Sequence, residues 1–279
     1  MTRGLVDVGR HVAAHLAFAV GGNRTVLARQ LVPYPFHITK PFRLDAARPD
    51  LATLYLQSAS GGLYRGDDLT LRIAAGAGAA AHLVTQAATV VHDTGASPAR
   101  QRVEIEIGPE AFLAYTPDPL VMFSGAAIDT MTRVTLADGA RAIVSDAFAM
   151  HDPKADERPF AALSQRFEVV DASGRTAVRD IGRIAGAAIV SDASPLGPFR
   201  AFGTLAVLAP AEALPAPAVL RAAGETCGGL AGVTSLPGSA GLMVRCLADD
   251  GGGVRRGLEA AFEVAFASLV GTRPAPRRR

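Results

Sequence analysis

The chain has 279 residues, 49% hydrophobic and 19% charged, a balance that excludes intrinsic disorder and fills a core without disulfide or metal staples. Lys and Arg number 28 against 26 Asp and Glu, but four basic residues (Arg273, Arg277, Arg278, Arg279) sit in the tail. Without them the body is slightly acidic, which excludes the basic, aromatic-studded face of a nucleic-acid binder. Frequent Gly and Pro and the absence of Trp point to many short strands packed by Ala, Val, Leu and Ile.

Taken in chain order, Ala14 to Gln30 reads as a hairpin turning at Gly21-Gly22-Asn23. Pro33, Pro35 and Pro41 hold the next stretch extended. From Leu69 the hydrophobic period is two, with Leu69, Leu71 and Ile73 alternating with Asp68, Thr70 and Arg72. A glycine turn then leads to Ala81–Thr85. The device recurs at Val103–Ile107 and Phe112–Tyr115, at Val134–Leu136 and Ala142–Val144, and at Phe167–Val170 and Thr176–Val178. Such spacing predicts an all-β architecture. Further strands are expected at Leu205–Leu208, Gly229–Ser235 and Gly241–Leu247, with a short helix over Pro217–Ala223. Leu258, Phe262, Ala265 and Leu269 define one face of an amphipathic helix over Val254–Val270.

One domain is expected over residues 1–279: a β-rich body (1–200), an α+β portion (201–272) and a disordered, dispensable Arg tail (273–279). Val12 to Val20 is the one candidate leader segment, and His15 within it and Asp7 before it make a strand the better reading. No apolar run approaches the roughly 18–20 residues of a membrane helix, so no membrane association is expected. Cys227 and Cys246 match neither zinc nor CxxC spacing. Buried thiols of a cytoplasmic protein are expected, although spacing alone leaves a disulfide open.

Catalytic motifs are missing. Gly76-Ala77-Gly78 lacks the third glycine of a dinucleotide loop, no Gly-Lys-Ser/Thr occurs, and Ser124-Gly125 lacks the first glycine of a nucleophile elbow. The six histidines form no HxH or HExxH pattern. His82 sits in a strand and reads as structural; His92 before Asp93 and His151 before Asp152 are weak metal candidates, since imidazole and carboxylate suit ions such as Ni²⁺ and Zn²⁺.

One series of segments is distinctive. Gly61, Gly62, Gly66 and Asp67 mark a Gly-Gly-x-x-x-Gly-Asp stretch; Thr85-Gln86-Ala87-Ala88-Thr89 follows, then Pro117-Asp118-Pro119 and Phe123-Ser124-Gly125. In this order they resemble the urease accessory protein D family, and the likeness runs from the Gly21-Gly22 hairpin to the final helix. The stretch from Met150 to Arg158 departs from the Gly-Arg pair frequent there in the family. The resemblance implies a β-dominated fold of many short strands in a layered, β-helix-like arrangement with about two helices. It implies a cytoplasmic, non-enzymatic maturation factor that bridges apo-urease to the F- and G-type accessory proteins, the latter a GTPase. No cofactor is held tightly; nickel is a transient cargo. Two other classes are weighed: a stand-alone metal- or ligand-binding β protein, and an unrecognised hydrolase.

Asp67, Asp146 and Asp180 each interrupt a run that otherwise reads as core. A buried carboxylate is costly unless paired, hydrogen-bonded or wet. Capping a turn, or pairing with Arg179 or Arg183, would satisfy them. The resemblance implies an internal water-filled passage, and it makes these three, with Thr89, the candidate lining of a nickel path.

Overall fold

The computed structural model describes residues 9–152 and 158–276. Near the N-terminus β1 (His11–Gly21) and β2 (Arg24–Leu31) form the expected hairpin. The proline-rich stretch, expected to stay extended, instead turns at Tyr34-Pro35, where the Phe36 N–H donates to Pro33 O at 2.9 Å. It then runs into the short β3 (Phe36–Ile38), which pairs with β4 (Ala52–Ser58). β5 (Asp68–Ala75) buries Leu69, Leu71 and Ile73 and exposes Arg72, as its alternation dictates.

The glycine turn after β5 does not fold the chain back on itself. β6 (Ala80–Thr85) enters a second sheet, β7 (Thr89–Val91) forms a short third leg, and β8 (Ala99–Ile107) returns parallel to β5. The next coil repeats the path: β9 (Phe112–Thr116) lies parallel to β6, β10 (Leu120–Met122) to β7 and β11 (Ala127–Leu136) to β8. β12 (Arg141–Met150) then runs along β9 and, at its end, along β10, and β13 (Ala162–Val170) lies beside β11. This is a β-solenoid. The paired strands read from the sequence are successive legs of one coil, held in opposite sheets. Asp68 lies beside Arg100 and Ala80 beside Phe112, so both legs advance in step.

The expected all-β dominance and β-helix-like layering are both present. Antiparallel strands end the stack. β14 (Thr176–Ala185) closes the first sheet, and β15 (Ala201–Leu208), β16 (Leu230–Ser235) and β17 (Gly241–Ala248) extend the second. The sheets run β14-β13-β11-β8-β5-β1-β2 and β16-β17-β15-β12-β9-β6-β4-β3. Because β15 hydrogen-bonds to β12, the C-terminal portion continues the body without a break.

Among the described residues three α-helices accompany the strands: the one-turn α1 (Gly186–Ile189), α2 (Pro217–Gly224) and α3 (Gly251–Val270). α3 starts one turn earlier than its apolar stripe predicts. Asp250 caps it, accepting the Gly253 N–H at 2.7 Å, and Gly253 and Gly257 lie against Ala248 and Cys227, where a side chain would not fit. Cys227 and Cys246 are both buried and free, and burial beside Cys227 pushes the Cys246 thiol up to about 12. Arg277–Arg279 of the tail lie outside the described residues; before them, the Ala275 N–H donates to Asp45 at 2.7 Å.

Three apolar clusters fill the molecule. One lies between the sheets around Leu16, Leu54, Ile105 and Leu113, and a second gathers at Phe148, Phe160 and Met122 beside the third leg. The last packs α3 onto the second sheet through Phe112, Phe262 and Phe266.

Candidate functional site

Between the first two clusters the inward positions turn polar. In β8, Gln101 stands between the buried Ala99 and Val103; in β11, Thr130 and Thr132 stand between Ile128 and Val134. In β12, Asp146 stands between Val144 and Phe148. The register stacks Gln101 beside Thr130 and Thr130 beside Gln165 of β13. This band opens into a cavity of about 400 Å³, large enough for several waters.

The rim carries Gly61, Gly62, Thr85, Gln86, Ala88 and Thr89, with Pro117 and Asp118 on the next coil. Local chemistry places them. Gly62 has φ 143°, and a Cβ there would run into the Val90 carbonyl oxygen, so only glycine brings this coil against β7. Leu63 N–H then donates to Val90 O at 2.8 Å and His92 N–H to Leu63 O at 3.0 Å. Thr85 Oγ1 accepts the Asp118 N–H at 2.8 Å and ties the two rims together. The Gln57 and Gln86 side chains are hydrogen-bonded to each other beside them.

Asp146 lies at the deep end. Burial pushes its carboxyl up to about 6, against hydrogen bonds from the Gln165 side chain and the Ala147 backbone. The residue is half-buried and lines the cavity. Tyr115, across from it, is raised by burial and by the Asp146 charge, so it stays a neutral phenol. Among the described residues no Arg, Lys or His forms an ion pair with Asp146, and none lines the cavity.

The other candidates lie elsewhere. Asp67 is 2% exposed at the corner before β5 and holds the N-terminal segment. Arg10 pairs with it, donating from its backbone N–H at 3.0 Å and from Nε at 2.9 Å, and Tyr64 N–H donates at 2.7 Å. Burial raises its pKa, but these donors outweigh it and hold the carboxyl below its ordinary value. Asp180 accepts from Arg245 of β17 at 2.7 Å, not from Arg179 or Arg183. Thr204 stands beside both Asp146 and Arg245, so a polar row leads from the cavity to the open end of the solenoid. Gly66 and Gly125 turn corners away from the cavity; Pro119 lies under α3.

His92 and His151 belong to a ladder. Tyr64, His92, Phe123 and His151 follow residues that stack on successive third legs, with Tyr64 and His92 parallel at 4.5 Å and Phe123 and His151 at 5.1 Å. Among the described residues no group of three or more His, Cys, Asp or Glu is placed to hold a metal ion.

Sequence reasoning missed Gln101, Thr130, Thr132, Gln165, Tyr115 and Arg245. The available signal was a polar residue at an inward position of a period-two strand; the register that stacks those positions is not written in any one segment.

The fold and its lining define a β-solenoid scaffold built around a cavity whose largely apolar wall carries a band of polar side chains. Residues 11–279 match the family described as UreD urease accessory protein. Urease accessory protein UreD 1 of Methylorubrum extorquens (strain PA1) is 52% identical over 273 residues, covering 98% of this chain and 93% of that protein. UreD 3 of Bradyrhizobium sp. (strain ORS 278) is 47% identical, covering 97% and 96%, and UreD 1 of Pseudomonas syringae pv. syringae (strain B728a) is 32% identical, covering 95% of each. The chain belongs to the UreD urease accessory protein family.

Proposed function

We propose that this chain is a non-catalytic urease maturation factor. It acts in the cytoplasm, bridges apo-urease to the F- and G-type accessory proteins, and passes Ni²⁺ toward the urease site through its internal cavity. Family membership supports the maturation role. One observation carries the passage: stretches far apart in sequence, Gly61-Gly62, Thr85–Thr89 and Pro117-Asp118, converge on the rim of one cavity whose deep end holds Asp146.

The lining suits transfer. Hydroxyls, amides and one deep carboxylate offer Ni²⁺ successive weak oxygen contacts, whereas a cage of imidazoles or thiolates would trap it. Thr89 stands at the mouth and Asp146 inside; Asp180 and Arg245 lie further along the row, at the open end. Asp67, bound by Arg10, is a structural carboxylate in this reading. In the maturation complex Ni²⁺ is cargo, and no tightly held cofactor is required.

The test blocks the passage without removing the scaffold. Thr89→Trp and Asp146→Leu, each made in a strain carrying urease and all accessory proteins, are expected to lower urease nickel content and activity while the accessory complex still co-purifies. Full nickel loading by a Thr89→Trp/Asp146→Leu double variant would remove the passage from the mechanism.

A further inference from the structure

The outer face of the second sheet is covered by α3, which packs on β12, β15 and β17. Among the described residues no helix lies across the outer face of the first sheet. Its seven strands, at about 4.8 Å spacing and roughly eight residues each, present on the order of 900 Å². That matches the roughly 800 Å² per partner of a standard protein interface.

The charges on this face fall in rows set by the register. In one row Arg72, Glu104, Arg133, Glu168 and Arg179 alternate along neighbouring strands, and Arg72 pairs with Glu104 while Arg133 and Arg179 flank the buried Glu168. This row is internally neutralised. Nearer the other end of the strands Arg102 pairs with Asp68 at 2.5 Å. Arg100, Arg166 and Arg183 are different. All three are exposed, and none of their guanidinium groups has a hydrogen-bond or ion-pair partner among the described residues. They surround the half-buried Met131 and Ile181, which is 56% exposed, and span roughly 15 Å across β8 to β14. Asp68 and Asp129 stand on either side of Arg100 in the register, whereas Arg166 faces Met131 and Ile181, and Arg183 faces Ser164.

We infer that this patch is a docking surface for an acidic protein partner that presents carboxylates around an apolar side chain. The inference rests on the proposed reading that the chain works within a protein assembly. Charge complementarity selects the partner. The body of the chain is net acidic once the tail is set aside, so arginines without an ion-pair partner, Arg166 and Arg183 above all, are a local departure on this face. Arg holds carboxylates in bidentate geometry and is favoured at interface centres, where an exposed Ile gives an apolar anchor. A nucleic-acid backbone fits less well, because the exposed Ile181 at the centre of the patch offers an apolar contact that phosphates do not use.

The test uses the full chain with purified apo-urease and the purified F- and G-type accessory proteins. A photo-crosslinking residue, p-benzoylphenylalanine, is placed at Ile181, and an Arg100→Glu/Arg166→Glu/Arg183→Glu variant is compared with Arg24→Glu/Arg29→Glu on the far edge strand. The expected result is a crosslink into an acidic segment of one partner. The triple variant should bind that same partner at least tenfold more weakly at low salt, with its salt dependence flattened; the far-edge variant should bind normally. Unchanged binding of every partner by a folded triple variant would overturn the inference, as would a crosslink only to a second copy of this chain or to nucleic acid. That failure is separable from failure of the maturation reading, which would show as normal urease nickel loading in a strain lacking this chain.

Discussion

At the scale of single residues, two carboxylates with opposite shifts make opposite predictions. Asp146 is raised to about 6 by burial, so its ionised form weakens the fold; the penalty grows as pH rises from the ordinary carboxylate range to about 6 and persists above it. Asp146→Asn is therefore expected to stabilise the protein at pH 7.5 by up to roughly 3 kcal/mol, less whatever water in the cavity recovers, and to change little at pH 4.5. Urea unfolding at the two pH values measures this. Asp67 is held below its ordinary value by Arg10 and two backbone N–H donors, so its contribution is present at neutral pH and fades as pH falls below the carboxylate range. Arg10→Ala leaves that carboxylate buried without its cation and is expected to cost about 3 kcal/mol at pH 7, with the loss shrinking in acid.

At the scale of elements, α3 shows packing overriding propensity. Three glycines open it and a fourth, Gly257, lies in its interior, each disfavoured by about 1 kcal/mol relative to Ala. A Cβ at Gly257 would sit 2.7 Å from both Cys227 Cβ and the Gly224 carbonyl oxygen, and 3.2 Å from Cys246 Sγ. Backbone cannot yield cheaply there. Gly257→Ala is expected to destabilise by about 1–3 kcal/mol despite its better helix propensity, as a lowered thermal midpoint would show. The edge strands tell a related story: β14 exposes Arg179 and Arg183 beside Ile181, and charges at an edge discourage pairing with another sheet.

For the whole molecule, a bare sheet face and exposed Tyr34, Ile181 and Leu230 predict association when the chain is made without partners. Expressed alone it should be largely insoluble, and co-expression with the F-type protein should move it into the soluble fraction; a monodisperse monomer made alone would contradict this. Truncation after Pro276 should leave stability unchanged. Truncation after Arg273 removes the Ala275 N–H from Asp45, which is 6% exposed, and should lower the thermal midpoint measurably.

The sequence by itself determined the strands, because side chains in a pleated chain alternate and the chain writes that alternation directly. It determined α3 through the Leu258, Phe262, Ala265 and Leu269 stripe, and it marked the Gly61-Gly62, Thr85–Thr89 and Pro117–Pro119 stretches as belonging together. Only the tertiary structure decided that successive strands occupy opposite sheets, because a glycine turn of the same composition serves a hairpin or a solenoid corner. Asp146 and Asp67 look alike as acids beside apolar runs. One lines a cavity and the other is bound by Arg10, because pairing depends on groups brought close by register and corner geometry and on nothing local to either aspartate.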